Sequence, residues 1–264
     1  MSLESDLPRP QQPGQPQLAV VVGGEGVDVD ADSRARHTGK VHGPHPTIRA
    51  AGKRGEPGAP EPLALPHMSE TTQALAIPVL VGDLVTLRPH TLADADAVHE
   101  RAVDPLARRF TTVPLEYTRE MAVEYVTEFT APSAAQVSWA IELEGRYAGT
   151  IDLRALPVDA GAGSLGFATH QDFRGRGVMS EAVRLVVAHA FDTLGWRTVR
   201  WEAHAGNWGS AKAVWRAGFP VPVFVPDLLV ERGRLVDGWI STLHADADRQ
   251  PVAPWDDVVA ALTR

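Results

Sequence analysis

The chain has 264 residues, 44% of them hydrophobic, and a formal net charge of −8 from 25 basic and 33 acidic residues. It has no cysteine, which excludes disulfides, thiolate zinc sites and a cysteine nucleophile and is compatible with a reducing cytoplasm. The acidity disfavours duplex nucleic acid, and no apolar run approaches the roughly 18–20 residues of a membrane helix, so neither is an expected partner.

Residues 1–67 hold 10 of the 21 prolines and 9 of the 23 glycines and contain no Trp, Tyr or Phe. Such a segment buries too little surface to offset its ordering entropy, so it reads as a disordered extension. Ser69-Glu70-Thr71-Thr72 after Met68 has the look of a natural N-terminus. The first 67 residues are thus either an upstream extension or the product of a start site placed too early, and 68–264 is the expected working domain.

From residue 78 onward, strand-like and helix-like runs alternate. Leu84–Arg88 predicts a first strand ended by Pro89. Thr91 to Asp94 has the form of a capping box, and Leu92, Ala95, Val98, His99 and Ala102 continue on one helical face. A second helix is predicted from Thr118 to about Thr130, with Met121, Tyr125, Val126 and Phe129 inward. The stretch between them, Arg108 to Tyr117, reads as a loop. Val137–Leu143 and Tyr147–Leu153 predict a hairpin around a tight turn at Glu144-Gly145-Arg146. Ser164–Thr169 is a third strand of this group. A helix follows, with Val183, Val186, Val187, Ala190, Phe191 and Leu194 at helical spacing and Gly195 as its stop. Thr198–Ala203 is a strand and Ser210–Ala217 a helix. Strands near Val221–Val225 and Gly238–His244 complete the pattern. A central hairpin among helices argues for one α/β (α+β) domain with a mixed sheet, not a doubly wound one.

The most informative segment is Phe173-Arg174-Gly175-Arg176-Gly177-Val178-Met179, between a strand and a helix. Gly175 and Gly177 let the backbone bend tightly and approach a ligand. The loop delivers the first N–H groups of a helix, which lack intrahelical partners and carry partial positive charge, a seat for a pyrophosphate. Arg174 and Arg176 add charge at its rim. Taken alone, the stretch reads more readily as a glycine turn with solvated arginines. No Gly-Lys-Ser/Thr follows, so it is not a Walker loop, and Ser180 stands where a dinucleotide fingerprint needs a third glycine.

Thirty residues after Gly177 comes Asn207-Trp208-Gly209-Ser210, then a helix ending in Trp215-Arg216-Ala217-Gly218-Phe219. Alone, Asn207 reads as a helix cap. Together, the two segments resemble the acyl-CoA signature and the N-x-x-S…G-F signature of the GNAT superfamily of N-acetyltransferases. Within it, RGRGVMSEA, LGWRTVRWEAHAGN, Ser210 and GRLVDGWIS are most similar to the RimJ/RimL type, which acetylates protein N-termini. The resemblance covers roughly residues 79–245.

This resemblance implies a mixed, mostly antiparallel sheet with helices on both faces. Two neighbouring parallel strands, near Ser164–Thr169 and Thr198–Ala203, splay apart to hold the pantetheine of acetyl-CoA. The pyrophosphate is expected on Phe173 to Met179, and Asn207 beside the pantetheine. The acceptor amine, a peptide N-terminus or a small amine such as an aminoglycoside or polyamine, enters from the other side. A non-catalytic acyl-CoA-binding module is the competing reading. Ser210 is the candidate donor to the leaving sulfur. Related enzymes often carry a glutamate on the strand before the loop, but Gly163–Phe167 holds no acid, so Glu202 and His204, two apart on the next strand, stand in as candidate bases. Trp215 replaces a tyrosine acid common in the superfamily. No metal is expected, and a homodimer would follow family habit.

Overall fold

The computed structural model describes residues 76–156 and 161–263, all within one compact unit; the segment 1–67, expected to be disordered, lies outside the described residues. Two short strands come first, β1 (Leu80–Val81) and β2 (Thr86–Arg88), the latter shorter than Leu84–Arg88 because Leu84 and Val85 belong to the connection. The Thr91 capping box forms, with the Asp94 carboxylate accepting the Thr91 N–H at 2.8 Å, and starts α1 (Ala95–Val103). Ala95, Val98 and Ala102 are buried as expected, but Leu92 points to solvent.

A further helix, α2 (Pro105–Phe110), was not foreseen and takes up the first three residues of the stretch expected to be loop. Asp104 caps it by accepting the Leu106 and Ala107 N–H groups, and Pro105 fills the first helical position, where its missing N–H costs nothing. Next come α3 (Arg119–Glu124), widened into one π-type turn over Tyr125–Phe129, and the hairpin β3 (Gln136–Leu143) and β4 (Arg146–Ala155). Its two-residue turn, Glu144-Gly145, has both φ angles positive, the geometry that matches strand twist.

The remaining elements are β5 (Ala162–Thr169), α4 (Val178–Ala188) with a π-type turn over His189–Thr193, β6 (Thr198–His204), α5 (Trp208–Trp215), β7 (Val223–Glu231), β8 (Arg234–His244) and α6 (Trp255–Leu262). The strand β7 runs for nine residues. It is an edge strand, where Pro226 and a bulge at Asp227 (φ 53°) are tolerated because that side needs no ladder donor. Leu194 is exposed rather than inward, lying just past the turn His189–Thr193 and before Gly195 (φ 67°).

The sheet order is β1-β2-β3-β4-β5-β6-β8-β7, and β5–β6 is its parallel pair. Alternation sends Trp139, Ile141, Ile151, Leu153, Val199, Trp201 and Leu243 to one face, against α4 and α5. Ala140 and Tyr147 go to the other, against Ala95 and Val98 of α1 and Ala122 of α3. Helices therefore cover both faces. Each fully buried aliphatic, such as Leu87, Ile141, Ile151 or Leu243, contributes about 1.5–3 kcal/mol. No helix among the described residues is long and apolar enough to cross a membrane.

Candidate active site

Between β5 and α4, Phe173 is buried and anchors the glycine loop, with the guanidinium groups of Arg146 and Arg176 4.9 and 5.4 Å from its ring centre. Gly175 (φ 75°) and Gly177 (φ 83°) hold backbone conformations that L side chains rarely adopt. Gly177 is the N-cap of α4, so Val178, Met179 and Ser180 present the free donors of the first turn. A Cβ at Gly175 would meet nothing within 4 Å, and one at Gly177 only the Leu84 side chain at 3.8 Å, so the outer side of the loop is open.

The rim arginines are tied down. Arg174 donates to Asp104 at 2.6 Å, which joins the loop to the cap of α2. Burial opposes ionisation of Asp104, but the Arg174 bond and the helix N–H groups outweigh it and hold its carboxyl below the usual range. Arg176 reaches Glu144 of the β3–β4 turn at 3.4 Å.

The second feature is a fork in the sheet. The pairing of β5 with β6 runs from Ala162 with Thr198 to Leu165 with Trp201 and stops. Beyond that point β5 continues to Thr169 paired only with β4, and β6 continues to His204 paired only with β8. The facing backbone groups of Gly166–Thr169 and Glu202–His204 are left for something other than each other. The glycine loop leaves the end of β5 and α5 follows the end of β6, so both lie at the carboxyl ends of the forking strands, where ligands of α/β folds bind.

Ser210 sits at the base of the fork, where its Oγ accepts the Trp201 Nε1–H at 3.0 Å and keeps its own proton to donate. Asn207 caps α5: its Oδ1 accepts the Ser210 N–H at 3.2 Å. Glu202 and His204 share one face of β6, as their spacing predicts, and that face is turned away from Trp201 and toward the α1–α3 side. Glu202 lies 3.0 Å from Arg200 Nε. His204 is buried beneath α2, its Nδ1 3.3 Å from the Arg109 carbonyl and its ring 6.3 Å from that of Phe110. Ser210 and the Glu202–His204 pair thus stand on opposite sides of the fork. Phe110 is half-buried, under the Arg109 guanidinium. Trp215 packs on Trp255 and donates its indole N–H to the Ala253 carbonyl at 2.9 Å, so it secures α6.

Two groups were missed from the sequence. Asp152 on β4 is only 5% exposed, and its pKa is raised to about 6 by burial, which the charges of Arg154 and Arg101 oppose. Its signal was the alternation Thr150-Ile151-Asp152-Leu153, which puts an acid among buried positions. Arg232, in the β7–β8 turn, donates through Nη2 to the carbonyls of Arg108, Thr111 and Val113 at 2.9, 3.2 and 2.9 Å, clamping the last turn of α2 and the segment that follows it. No group of His, Asp and Glu among the described residues has the arrangement of a metal site.

Comparison with known proteins agrees with this geometry. Residues 85–220 match the family model for the acetyltransferase (GNAT) domain. A T. thermophilus protein assigned as an acetyltransferase is 25% identical with a TM-score of 0.57, covering 71% of this chain and 97% of its own. The ribosomal L7/L12 N-terminal acetyltransferase RimL, solved with coenzyme A, has the same fold at 18% identity and TM-score 0.56, covering 65% and 100%. So does the microcin C7 self-immunity acetyltransferase MccE, solved with acetyl-CoA and AMP, at 14% and 0.55, covering 62% and 93%. No functionally curated protein matches. With the family match spanning just over half of the chain, and the fork and glycine loop in place, the chain belongs to the GNAT acetyltransferases.

Proposed function

We propose that the protein transfers the acetyl group of acetyl-CoA to the free N-terminus of a protein or peptide by direct attack on the thioester. The observation that carries the reading is the fork: parallel pairing that ends at Leu165 and Trp201, with an open glycine loop and the N-terminus of an 11-residue helix beside it. The residues present fit acetyl-CoA. The N–H groups of Val178, Met179 and Ser180 and the helix dipole offer a seat for the pyrophosphate, with Arg174 and Arg176 at its rim. The unpaired edges of β5 and β6 offer backbone partners for the two amides of pantetheine, with Asn207 at the start of α5 beside them.

Direct transfer needs a neutral amine and a proton for the departing thiolate. An N-terminal amine, with a pKa of about 7.7–8.0, loses its proton far more easily than a lysine at about 10.4. Ser210 is the proposed donor to the sulfur; the Trp201 indole N–H holds its oxygen and leaves its proton free to donate. Glu202 and His204 are the β6 side chains proposed to meet the amine on the acceptor side. The RimL likeness supports the choice of a peptide acceptor over an aminoglycoside or polyamine.

Thiol release from acetyl-CoA, measured with the full chain against a panel of free N-terminal peptides and a panel of small amines, tests this. Peptides are expected to react faster. Preference for a small amine would move the acceptor to that class, and acetyl-CoA binding without turnover would reduce the protein to a binding module. Ser210→Ala is expected to lower kcat roughly 100-fold while leaving acetyl-CoA affinity within a few fold. Ser210→Thr, which keeps the hydroxyl and the acceptor for Trp201, should retain more activity. An unchanged kcat in Ser210→Ala would remove Ser210 from the mechanism.

A further inference from the structure

We propose that Asp152 is the residue that takes the proton from the acceptor amine, an assignment that rests on the acetyl-transfer reading above. Asp152 on β4 lies opposite Gly166 on β5, and Gly166 is the first residue past the last β5–β6 pair. Its carboxylate therefore stands at the opening of the fork, on the face turned toward α1 and α3. A Cβ at Gly166 would lie 2.8 and 2.9 Å from the two Asp152 carboxylate oxygens and 2.8 Å from Arg154 Nη2. The bare glycine is what lets the acid lean over β5 toward the opening.

The carboxylate is buried yet incompletely bonded. Arg154 Nη2 is 2.7 Å from Oδ2, close enough for an ion pair but off the line of a hydrogen bond, and Oδ2 has no hydrogen-bond partner among the described residues. The same holds for Oγ of Ser138, 1% exposed and opposite Asp152 on β3, and for Nε of the buried Arg101 on α1. Buried polar atoms are nearly always bonded, so three such atoms, on the paired residues Ser138 and Asp152 and on Arg101, whose charge acts on Asp152, mark a place where a polar group is received. Besides Arg154 on its own strand, the charged and titratable groups acting on Asp152 are Arg101 and Tyr125, the latter in the turn after α3 with its hydroxyl pKa pushed up to about 12 by burial.

The charges around the fork are graded. In the paired part Arg154 stands opposite Ser164, which stands opposite Arg200. In the open part stand the acids, Asp152 on one side and Glu202 on the other, each two residues from its arginine. Cations thus sit at the closed end and carboxylates where an ammonium arrives. In the step, Asp152 removes one proton from R–NH3+ to leave R–NH2. The nitrogen lone pair forms the bond to the thioester carbonyl carbon as the C–S bond breaks. The second nitrogen proton goes to the thiolate, giving coenzyme A thiol and the amide. Asp152 then releases its proton to solvent.

The test compares the full-length protein with Asp152→Asn, Asp152→Glu and Glu202→Gln. Acetyl-CoA affinity is read by calorimetry, and kcat and KM by thiol release with a pool of tripeptides bearing each residue at the free N-terminus together with spermidine. The wild-type kcat/KM is expected to fall with a midpoint near pH 6 as Asp152 is protonated. Asp152→Asn should bind acetyl-CoA normally, lose about 100-fold in kcat at neutral pH, and recover most of that deficit above the amine's own pKa of about 8. Asp152→Glu should regain part of the rate. The limb near pH 6 should persist in Glu202→Gln. A loss in Asp152→Asn that is equal at every pH, or an acidic limb unchanged in that variant, would overturn the assignment and leave acetyl transfer standing. A wild-type protein that releases no thiol with any of these amines would overturn the transfer reading and Asp152 with it.

Discussion

Replacing Gly177 by glutamate is expected to abolish acetyl-CoA binding by the full chain. The wild type should bind in the micromolar range, about −8 kcal/mol. At φ 83° a side chain costs roughly 1–2 kcal/mol of backbone strain. A carboxylate here would also stand at the positive end of α4, where the pyrophosphate is to sit, and would both occupy those donors and repel the phosphates. Calorimetry on Gly177→Glu beside Gly177→Ala separates the two contributions: alanine should weaken binding about tenfold through strain, and glutamate at least 100-fold. Equal binding by wild type and Gly177→Glu would mean that the loop does not hold the phosphates. A folded wild type that does not bind would remove acetyl-CoA from the reading.

The second large effect concerns stability. Gly218→Val is expected to lower stability by about 3–5 kcal/mol, through overpacking added to a left-handed backbone. Gly218 (φ 91°) ends α5, and a Cβ there would lie 2.5 Å from the Cα and carbonyl carbon of Arg249 and 2.7 Å from the Gln250 nitrogen. Those are backbone atoms that cannot turn aside. The segment they belong to is held from its other side by the two Arg249–Asp192 hydrogen bonds at 2.7 and 2.8 Å, so it has little room to retreat. At about 2–4 °C per kcal/mol, the unfolding midpoint should fall by roughly 10 °C. Gly233→Ala is the control: φ is 78°, but a Cβ there meets nothing within 4 Å, so only strain of about 1–2 kcal/mol is expected. A calorimetric midpoint for Gly218→Val no lower than that of Gly233→Ala would refute the packing argument.

Much of the fold was written locally. The β3–β4 hairpin followed from alternation around Glu144-Gly145, and α4 from a stripe of valines closed by Gly195. What escaped either was too short to show a pattern or had non-local causes. The helix α2 is set by Asp104 and Pro105, a cap and a first-turn proline, in a stretch too short for a periodic pattern to register. The length of β7 depends on its place at the sheet edge, which alone makes Pro226 acceptable inside a strand. In the site, the glycine loop could be read because its chemistry resides in consecutive residues. Asp152 could not, because it reaches the fork from the neighbouring strand: Gly163–Phe167, the stretch before the loop, holds no acid, while the register sets Asp152 over Gly166 from β4. For Asn207 the helix-cap reading is the one the geometry bears out, its Oδ1 accepting the Ser210 N–H at the start of α5, while its place beside the pantetheine belongs to the proposed function.

The Arg232 clamp has a consequence for how acceptor preference can change. One guanidinium joins three carbonyls at and just after the end of α2 to a hairpin turn about 120 residues later in the chain. The wall nearest His204 and Phe110 is therefore shaped by an element that contributes nothing to the glycine loop or to the parallel half of the fork. If the amine enters on the His204 side as proposed, insertions, deletions or exchanges in the β7–β8 turn would re-mould its entrance and leave the glycine loop as it is. On the proposed reading, the part of acceptor preference set by this wall would be carried by a different stretch of the polypeptide from the glycine loop, and could drift separately from it.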